Sequence, residues 1–383
     1  MKDFPWFKSY PAGTPHEIPL YEYNSVTDIF DESCKKYKDR VAFENMGARL
    51  TFGQVDELSR NFAAYLQQEL KLKKGDRIAI QMPNLLQFPI AFFGALRAGL
   101  IVVNTNPLYT PREMEHQFKD SGAVAIVIVA NYASNLEKII AHTNIKHVIL
   151  TQLGDMLGGL KGALVNFVVK KVKKMVPGYH LPQAISFKDV LNSGAKLPLR
   201  KAEVNVQDLA VLQYTGGTTG VSKGAQLSHA NLIAHNAMIR HWFKPYMSPA
   251  GDDLIVTAIP MYHIFALTVN GLLMFSTGVK NLMITNPRDI PGFVKELARH
   301  EYNIITGVNT LFNALMNTPG FANLDFSALK MSLGGGMAVQ RAVAERWKQV
   351  TGKPLVEAYG LTETSPGACV NPLVEGAEYN GYA

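Results

Sequence analysis

Apolar runs alternate with helix-period patterns along most of the chain. Strands that alternate with helices favour parallel sheets whose crossover connections are helical. The pattern therefore predicts an α/β fold of two packed βαβ-type subdomains with largely parallel sheets. The predicted strands are 77–81, 101–104, 123–129, 147–150, 209–214, 254–259 and 304–307. The predicted helices are 25–37, 52–70, 85–98, 110–121, 230–242, 291–301, 311–317 and 339–351.

The chain has 383 residues, which is enough for two or three packed units. Residues 177–206 are rich in Pro, Gly, Lys and Gln and read as a connection between two halves. We therefore predict a first α/β region over 1–200 and a second over 201–383.

Composition narrows the cellular context of the protein. Two cysteines, Cys34 and Cys369, give neither a disulfide framework nor a zinc spacing, and the first residues lack the apolar run of a secretion signal. The most apolar stretch, 264–275, has only 12 residues and is expected to be a core element rather than a membrane span. These features predict a cytoplasmic location.

The net charge of +7 is partly concentrated in one basic segment, 158–178. Its lysines are interleaved with apolar residues, and residues 156–188 contain no Asp or Glu. Two interpretations stay open, namely a solvated helix face and reversible docking on an anionic membrane surface at the inner face of the membrane. Nucleic acid is not expected as a partner, because no recognition module accompanies the charge. The lysines of the segment are Lys161, Lys170, Lys171, Lys173 and Lys174.

A glycine- and hydroxyl-rich loop follows the predicted strand 209–214. It reads Tyr-Thr-Gly-Gly-Thr-Thr-Gly-Val-Ser-Lys-Gly over 214–224. Glycines let backbone N–H groups approach an anion, while hydroxyls and one lysine add donors and charge. The loop is not a Walker A sequence, because Lys223 lies three residues past Gly220. A polyphosphate cradle and an ordinary solvated turn are the two interpretations.

Three further clusters carry candidate chemistry. Residues 357–363 offer a tyrosine ring, a threonine hydroxyl and a carboxylate, which suit a base, a phosphate and Mg²⁺ but also a plain turn. Residues 332–337 contain three consecutive glycines, which permit a flat ligand or simply a strand-to-helix turn. His263 lies between aromatic residues in 259–265, where it is either a core histidine or a positioning group.

Together these four clusters resemble the adenylate-forming, AMP-binding superfamily, with bacterial long-chain fatty acyl-CoA ligases as the nearest likeness. The resemblance extends over essentially the whole chain and includes Met82-Pro-Asn84 and Asn286-Pro-Arg-Asp289. It implies that a fatty carboxylate attacks the α-phosphorus of ATP, giving acyl-AMP and pyrophosphate, and that CoA then displaces AMP. ATP, CoA and Mg²⁺ are thus the expected cofactors and co-substrates.

The resemblance also assigns roles to residues. His263, Lys223 and Glu363 are implied to be catalytic, with His263 orienting the carboxylate. Thr219 and Glu363 would hold Mg²⁺, and Thr362 would touch the α-phosphate. Apolar residues of 264–275 and 304–315 would line the acyl tunnel. The implied nucleotide-binding residues are Tyr214, Thr215, Gly216, Gly217, Thr218, Thr219, Gly220, Lys223, Gly335, Gly336, Tyr359 and Thr362.

The chain ends 20 residues after Glu363, whereas family members continue through a small β-barrel and a mobile C-terminal domain. We therefore expect a truncated form with an incomplete barrel, no C-terminal domain and weak or absent catalysis. The exposed apolar surface would favour self-association, for instance as a homodimer.

Other functions remain to be weighed. Gly220-Val-Ser-Lys-Gly224 matches the nucleophile elbow of α/β-hydrolases, which would make Ser222 a nucleophile. A non-catalytic nucleotide- or acyl-binding fragment is a second alternative, and another carboxylate-adenylating ligase is a third.

Overall fold

The computed structural model describes residues 4–11, 13–19, 22–216 and 221–372. The chain divides into two compact units. Residues 23–230 form the first, called the N-unit below, and residues 231–383 with 1–22 form the second, called the C-unit. The predicted division at 200/201 precedes the last two strands of the N-unit, and as a division into domains it stays a prediction.

The N-unit contains a seven-stranded sheet and, outside that sheet, a hairpin. The hairpin is β1 (Val41–Asn45) with β2 (Ala48–Thr51). The sheet has the order β7-β6-β5-β3-β4-β8-β9 and is parallel except for the β8–β9 pair. Its strands are β3 (Arg77–Gln81), β4 (Ile101–Asn104), β5 (Ala125–Val129), β6 (His147–Thr151), β7 (Ala184–Ser186), β8 (Leu209–Thr215) and β9 (Lys223–Ser228).

Helices of the N-unit connect and cover these strands. Two of them begin with a complete capping box, at Thr51 and Thr110, which satisfies N–H groups that the first turn leaves without partners. The helices are α1 (Val26–Lys36), α2 (Phe52–Gln68), α3 (Gln87–Arg97), α4 (Pro111–Ser121), α5 (Ala133–Glu137), α6 (Gly159–Phe167) and α7 (Phe187–Gly194). Helix α6 continues as a π-helical turn, Val168–Val172.

The strands of the C-unit form a second mainly parallel arrangement with the order β15-β14-β13-β12-β10-β11, in which only β14–β15 is antiparallel. The strands are β10 (Leu254–Thr257), β11 (Lys280–Met283), β12 (Ile304–Gly307), β13 (Met331–Gly334), β14 (Leu355–Gly360) and β15 (Gly367–Val370). The helices are α8 (His229–Phe243), α9 (Ile290–Leu297), α10 (Asn309–Met316) and α11 (Arg341–Thr351). Helix α8 begins two residues before the boundary between the units.

The core of the C-unit includes the stretch that was expected to be a core element. Ala266–Met274 forms a π-helix in which every residue is buried. Asn270 in this helix donates from Nδ2 to the hydroxyls of Thr257 and Thr306, at 3.1 Å each, so its polar group is satisfied on two neighbouring strands. None of the described helices is both long and apolar enough to cross a membrane.

The α/β prediction with largely parallel sheets is thus confirmed. All seven predicted strands are present, with ends that differ by at most two residues. The connection predicted over 177–206 is wrong in part, because β7 and α7 lie within it and β7 pairs with β6 in the main sheet.

Candidate functional site

The predicted site residues of the C-unit gather at one edge of its sheet. Strands β10, β12, β13 and β14 are parallel neighbours, so their carboxyl ends lie side by side. His263 follows β10, Gly335 and Gly336 follow β13, and Tyr359 lies near the end of β14. Strand order reverses here, since β11 and β12 flank β10 on opposite sides. Such a switch point at the carboxyl edge is where α/β sheets bind ligands.

The two glycines after β13 are required by local geometry. A Cβ atom at Gly335 would lie 3.0 Å from the ring of Phe265, and the Gly335 N–H donates to the carbonyl of Gly307 at 3.1 Å. Gly336 has a φ of 77°, a conformation that side chains other than glycine rarely adopt. The result is a stretch of backbone with no side chains, against which a flat ring could lie.

Beside these glycines, a tight loop displays the predicted side chains of 359–363. The Leu361 N–H donates to the Pro366 carbonyl at 3.0 Å and to the Thr364 hydroxyl at 3.0 Å, which fixes the loop from within. The ring of Tyr359 is 52% exposed, and Glu363 is also exposed. The constrained loop therefore carries an exposed ring and an exposed carboxylate, with the half-buried Thr362 between them in sequence.

His263 is placed to act as a neutral hydrogen-bond donor. The N–H of Phe265 donates to its Nδ1 at 3.4 Å, which assigns the proton of the neutral ring to Nε2. The side chain reaches solvent, but the protein packed around it displaces enough water to lower the pKa of His263 below its ordinary value. At neutral pH an uncharged imidazole can therefore offer its Nε2–H to an oxyanion.

The N-unit carries the other predicted cluster on the hairpin β8–β9. Thr215 pairs with Lys223 across this hairpin, and the Lys223 side chain is exposed. The Ser222 carbonyl is within 2.8 Å of His116 Nε2, which ties the end of the loop to α4. Gly216 is exposed at the start of the loop. Gly217, Thr218, Thr219 and Gly220 lie outside the described residues, so their predicted roles stay predictions.

Tyr214 is held differently from the other predicted residues of the loop. Its side chain is only 8% exposed and its hydroxyl donates to Asp120 Oδ2 at 2.5 Å. Burial, together with that carboxylate, raises the pKa of Tyr214 well above its usual range. A Cβ atom at Gly224 would meet the Tyr214 ring at 2.9 Å. The Tyr214 side chain therefore supports the hairpin, with its hydroxyl already committed to Asp120.

The hydrolase interpretation of Ser222 is wrong. A nucleophile elbow places its serine in a sharp turn between a strand and a helix. Ser222 instead directly precedes a strand, β9, which pairs antiparallel with β8. The serine is thus part of a hairpin loop.

The donor set suits Mg²⁺ bound mainly through phosphates. In the ranges that the structure describes, no three His, Cys, Asp or Glu side chains form a ligand cluster. Mg²⁺ usually keeps several waters and takes one or two carboxylates plus substrate phosphates. One exposed carboxylate, that of Glu363, fits this need.

Sequence reasoning missed an apolar cavity of about 630 Å³ in the C-unit. It lies against α8 and β15, and its lining comes from three distant stretches of the chain. It is lined by Trp6, Tyr10, His235, Met238, Trp242 and Cys369, among others. Residues 264–275 and 304–315 are absent from this lining, and their role in an acyl tunnel stays a prediction.

Comparisons with known proteins identify the family of the chain. The sequence profile of the family described as AMP-binding enzyme matches residues 30–381. The chain is 58% identical over 367 residues to a long-chain-fatty-acid–CoA ligase of Escherichia coli O157:H7, covering 96% of this chain and 65% of that protein. A protein of the same name from Haemophilus influenzae is 54% identical over 369 residues, covering 96% and 66%. The chain thus spans about two thirds of the length of these relatives.

A solved structure shows the same fold. The anthranilate CoA ligase AuaEII, crystallised with anthranoyl-AMP, superposes with a TM-score of 0.76 at 20% identity, over 90% of this chain and 61% of that one. The match of the family profile to most of the chain decides the family. The chain belongs to the AMP-binding enzyme family.

Proposed function

We propose that the protein activates a long-chain fatty acid with ATP and transfers the acyl group to CoA. The observation that carries the proposal is the 58% identity, over 96% of the chain, to a protein named long-chain-fatty-acid–CoA ligase. In the first step the fatty carboxylate forms a bond to the α-phosphorus of ATP, and pyrophosphate leaves. In the second, the CoA sulfur forms the thioester bond, and AMP leaves with the former carboxylate oxygen.

The first step brings an anion onto a polyanion, and the site residues have the chemistry to offset that repulsion. One pair of like charges 4 Å apart costs about 4 kcal/mol at an effective dielectric of 20. Lys223 and the Thr215 hydroxyl would bind the pyrophosphate end, together with Gly216 and the loop residues 217–220. The neutral His263 would orient the carboxylate through its Nε2–H, which adds a donor without a competing charge.

The nucleotide would be bound by the exposed groups at the sheet edge. The adenine ring would lie against the backbone of Gly335 and Gly336 and beside the exposed ring of Tyr359. Thr362 would contact the α-phosphate. Glu363 would provide a carboxylate to Mg²⁺, which when bound supplies positive charge to the phosphates, and Thr219 stays a predicted ligand outside the described residues.

The apolar cavity of the C-unit is the proposed site for the acyl chain. β15 contributes to its lining and begins at Gly367, four residues after Glu363. The Leu361 N–H donates to the Pro366 carbonyl at 3.0 Å, so the start of β15 lies beside the loop that carries Glu363. A chain whose carboxyl end reacts near Glu363 would enter the cavity beside Gly367. A volume of about 630 Å³ is in the range of cavities that enclose small ligands.

Binding of a non-hydrolysable dodecanoyl-AMP analogue, measured by calorimetry, tests the proposed function. We expect it to bind at least about a hundredfold more tightly than AMP, because each buried methylene adds about 0.8 kcal/mol. A Lys223→Ala, Glu363→Ala double variant should lose most of this affinity, whereas Lys138→Ala, which alters an exposed lysine of the same unit as Lys223, should not. Equal affinity for AMP and the analogue would refute the proposal.

We also propose that the basic segment docks on an anionic lipid surface. Leu160, Leu164 and Phe167 are three and four residues apart on α6, so they share one face, and they are 92%, 62% and 58% exposed. The opposite face is anchored: Gly162 is buried against Gly154, and Asn166 accepts a hydrogen bond from the Gly154 N–H at 2.7 Å. The exposed lysines that follow supply the charge that anionic headgroups attract.

Flotation with vesicles containing phosphatidylglycerol should show this docking as salt-sensitive binding. A Leu164→Gln, Phe167→Gln variant should reduce binding about tenfold, as should neutralising Lys170, Lys171, Lys173 and Lys174 by glutamine. Leu108→Gln is the matched control, since Leu108 is 51% exposed elsewhere in the N-unit. Undiminished binding of both variants would exclude this surface.

A further inference from the structure

The aromatic segment, residues 4–11, presents large apolar rings without burying them in a core. Its short helix, Pro5–Ser9, contains no buried residue, and Trp6 is 53% exposed. Phe4 stacks on Trp6 with ring centroids 4.5 Å apart, and Phe7 stacks on His16 at 3.9 Å. These rings contact mainly one another, so a large apolar area stays available to a ligand.

This segment forms one wall of the apolar cavity. Trp6 and Tyr10 line the cavity together with the strand residues 367–370. Tyr10 meets Trp242 of α8 edge to face, with centroids 5.2 Å apart. The adjoining stretch is tied to the same helix, because Arg240 pairs with Glu22 at 2.6 Å. The segment is thus docked on α8, and Trp6 and Tyr10 belong to the cavity lining.

The aromatic segment and Gly367 line different parts of the cavity. Gly367, at the start of β15, is near the reacting end in sequence, and its N–H donates to His235 Nε2 at 3.0 Å within the cavity lining. Tyr10 instead contacts Trp242, which lies seven residues, or about 10 Å, further along α8 than His235. An acyl chain entering beside Gly367 would meet Trp6 and Tyr10 only with its distal methylenes.

We propose that Trp6 and Tyr10 are specificity-determining residues that select long acyl chains by packing against their distal methylenes. The proposal rests on the proposed function and deepens it. Each methylene that is buried adds about fourfold in affinity. Removing the two rings should therefore lower the affinity for ligands with long acyl chains and leave the affinity for ligands with short chains unchanged. A residue that only stabilised the fold would affect both equally.

Cys369 provides a direct probe of cavity occupancy. It is exposed and lines the cavity, whereas Cys34, the other cysteine of the chain, is 3% exposed, and burial raises the pKa of its thiol well above its ordinary value. Alkylation by iodoacetamide, followed by mass spectrometry, should therefore modify Cys369 selectively. A ligand in the cavity should slow that reaction.

The experiment compares non-hydrolysable acyl-AMP analogues with eight-carbon and sixteen-carbon chains. In a Trp6→Ala, Tyr10→Ala variant, we expect the concentration of the long analogue that protects Cys369 to rise about tenfold, and that of the short analogue to stay unchanged. Phe4→Ala is the matched control, because Phe4 belongs to the same segment but is not in the cavity lining.

The outcomes separate this inference from the function on which it rests. Equal weakening of both analogues, or no weakening of either, would overturn the role of Trp6 and Tyr10 while the ligase proposal stands. If calorimetry detects neither analogue binding to the unmodified chain, the proposed function fails and this inference fails with it. Weakening of the long analogue by Phe4→Ala to the same extent would show general damage to the segment and would also overturn the assignment.

Discussion

Replacing Glu363 by glutamine should reduce fatty-acid-dependent ATP–pyrophosphate exchange by about two to three orders of magnitude, the loss typical when a group that stabilises transition-state charge is removed. Glutamine keeps the size of the side chain but removes the negative charge, so it can no longer attract Mg²⁺ to the phosphates. The exchange is measured in the protein that carries this chain, with palmitate as the acid.

The fold should survive this change. Glu363 is exposed, and the backbone hydrogen bonds of Leu361 hold the loop independently of its carboxylate. Glu345→Gln is the control, since Glu345 is an exposed acid of the C-unit whose partner is Arg341 on its own helix. Raising the Mg²⁺ concentration should restore part of the exchange in Glu363→Gln. Exchange at the unmodified rate in a folded Glu363→Gln protein would remove this residue from the metal site.

Some strands were predicted because they are apolar and buried along their whole length, whereas β13 was missed although it too is buried at every position, since its Ser332 and Gly334 interrupt the apolar run. β5 and β12 are buried at every position, so their apolar runs stand out from the pattern. β9 and β15 lie at the ends of their strand orders and are mostly polar, small or exposed. An edge strand buries few side chains, so its sequence lacks a periodic pattern of apolar residues. Such a strand is recognised only from its hydrogen bonds to the neighbouring strand.

The site residues that could be predicted lie in short sequence motifs, whereas the cavity is lined by residues far apart in the sequence. Gly335 and Gly336 follow β13, where backbone geometry requires glycine, and Tyr359, Thr362 and Glu363 lie in one short motif at the end of β14. The parallel pairing of β13 with β14 then brings them to one edge. The cavity could not be predicted in this way. Residues 6–18, 235–242 and 367–372 form its wall, and no spacing along the chain relates them.

The tertiary contacts of Tyr214 indicate a different role from the one that its motif predicts. From sequence, it is the first residue of a ligand-binding loop. In the fold, its hydroxyl reaches Asp120, which is far away in sequence, and its ring requires a glycine at 224. The motif therefore identified a structurally important position. Only the fold shows that the Tyr214 side chain supports the hairpin through Asp120 and Gly224.

Acidification from pH 7.5 to pH 5 should lower the free energy of unfolding of the C-unit by about 2 kcal/mol through His235 alone. This side chain is 1% exposed, and burial lowers its pKa from 6.5 to about 3. Its Nε2 accepts from Gly367 N–H, and its Nδ1 has no hydrogen-bond partner among the described residues. Below pH 6.5 the unfolded chain binds a proton that the folded one excludes, so this contribution is lost from pH 6.5 down towards pH 3.

Urea denaturation at both pH values measures the effect. In His235→Gln the difference in unfolding free energy between pH 7.5 and pH 5 should shrink by about 2 kcal/mol, whatever the substitution costs at pH 7.5. His180→Gln, at an exposed position, should leave that difference as it is. A ligand that fills the cavity binds only the folded state. It should therefore shift the midpoint of acid unfolding to a lower pH than in the protein without ligand. An unchanged pH difference in His235→Gln would mean that the buried imidazole takes up its proton inside the fold.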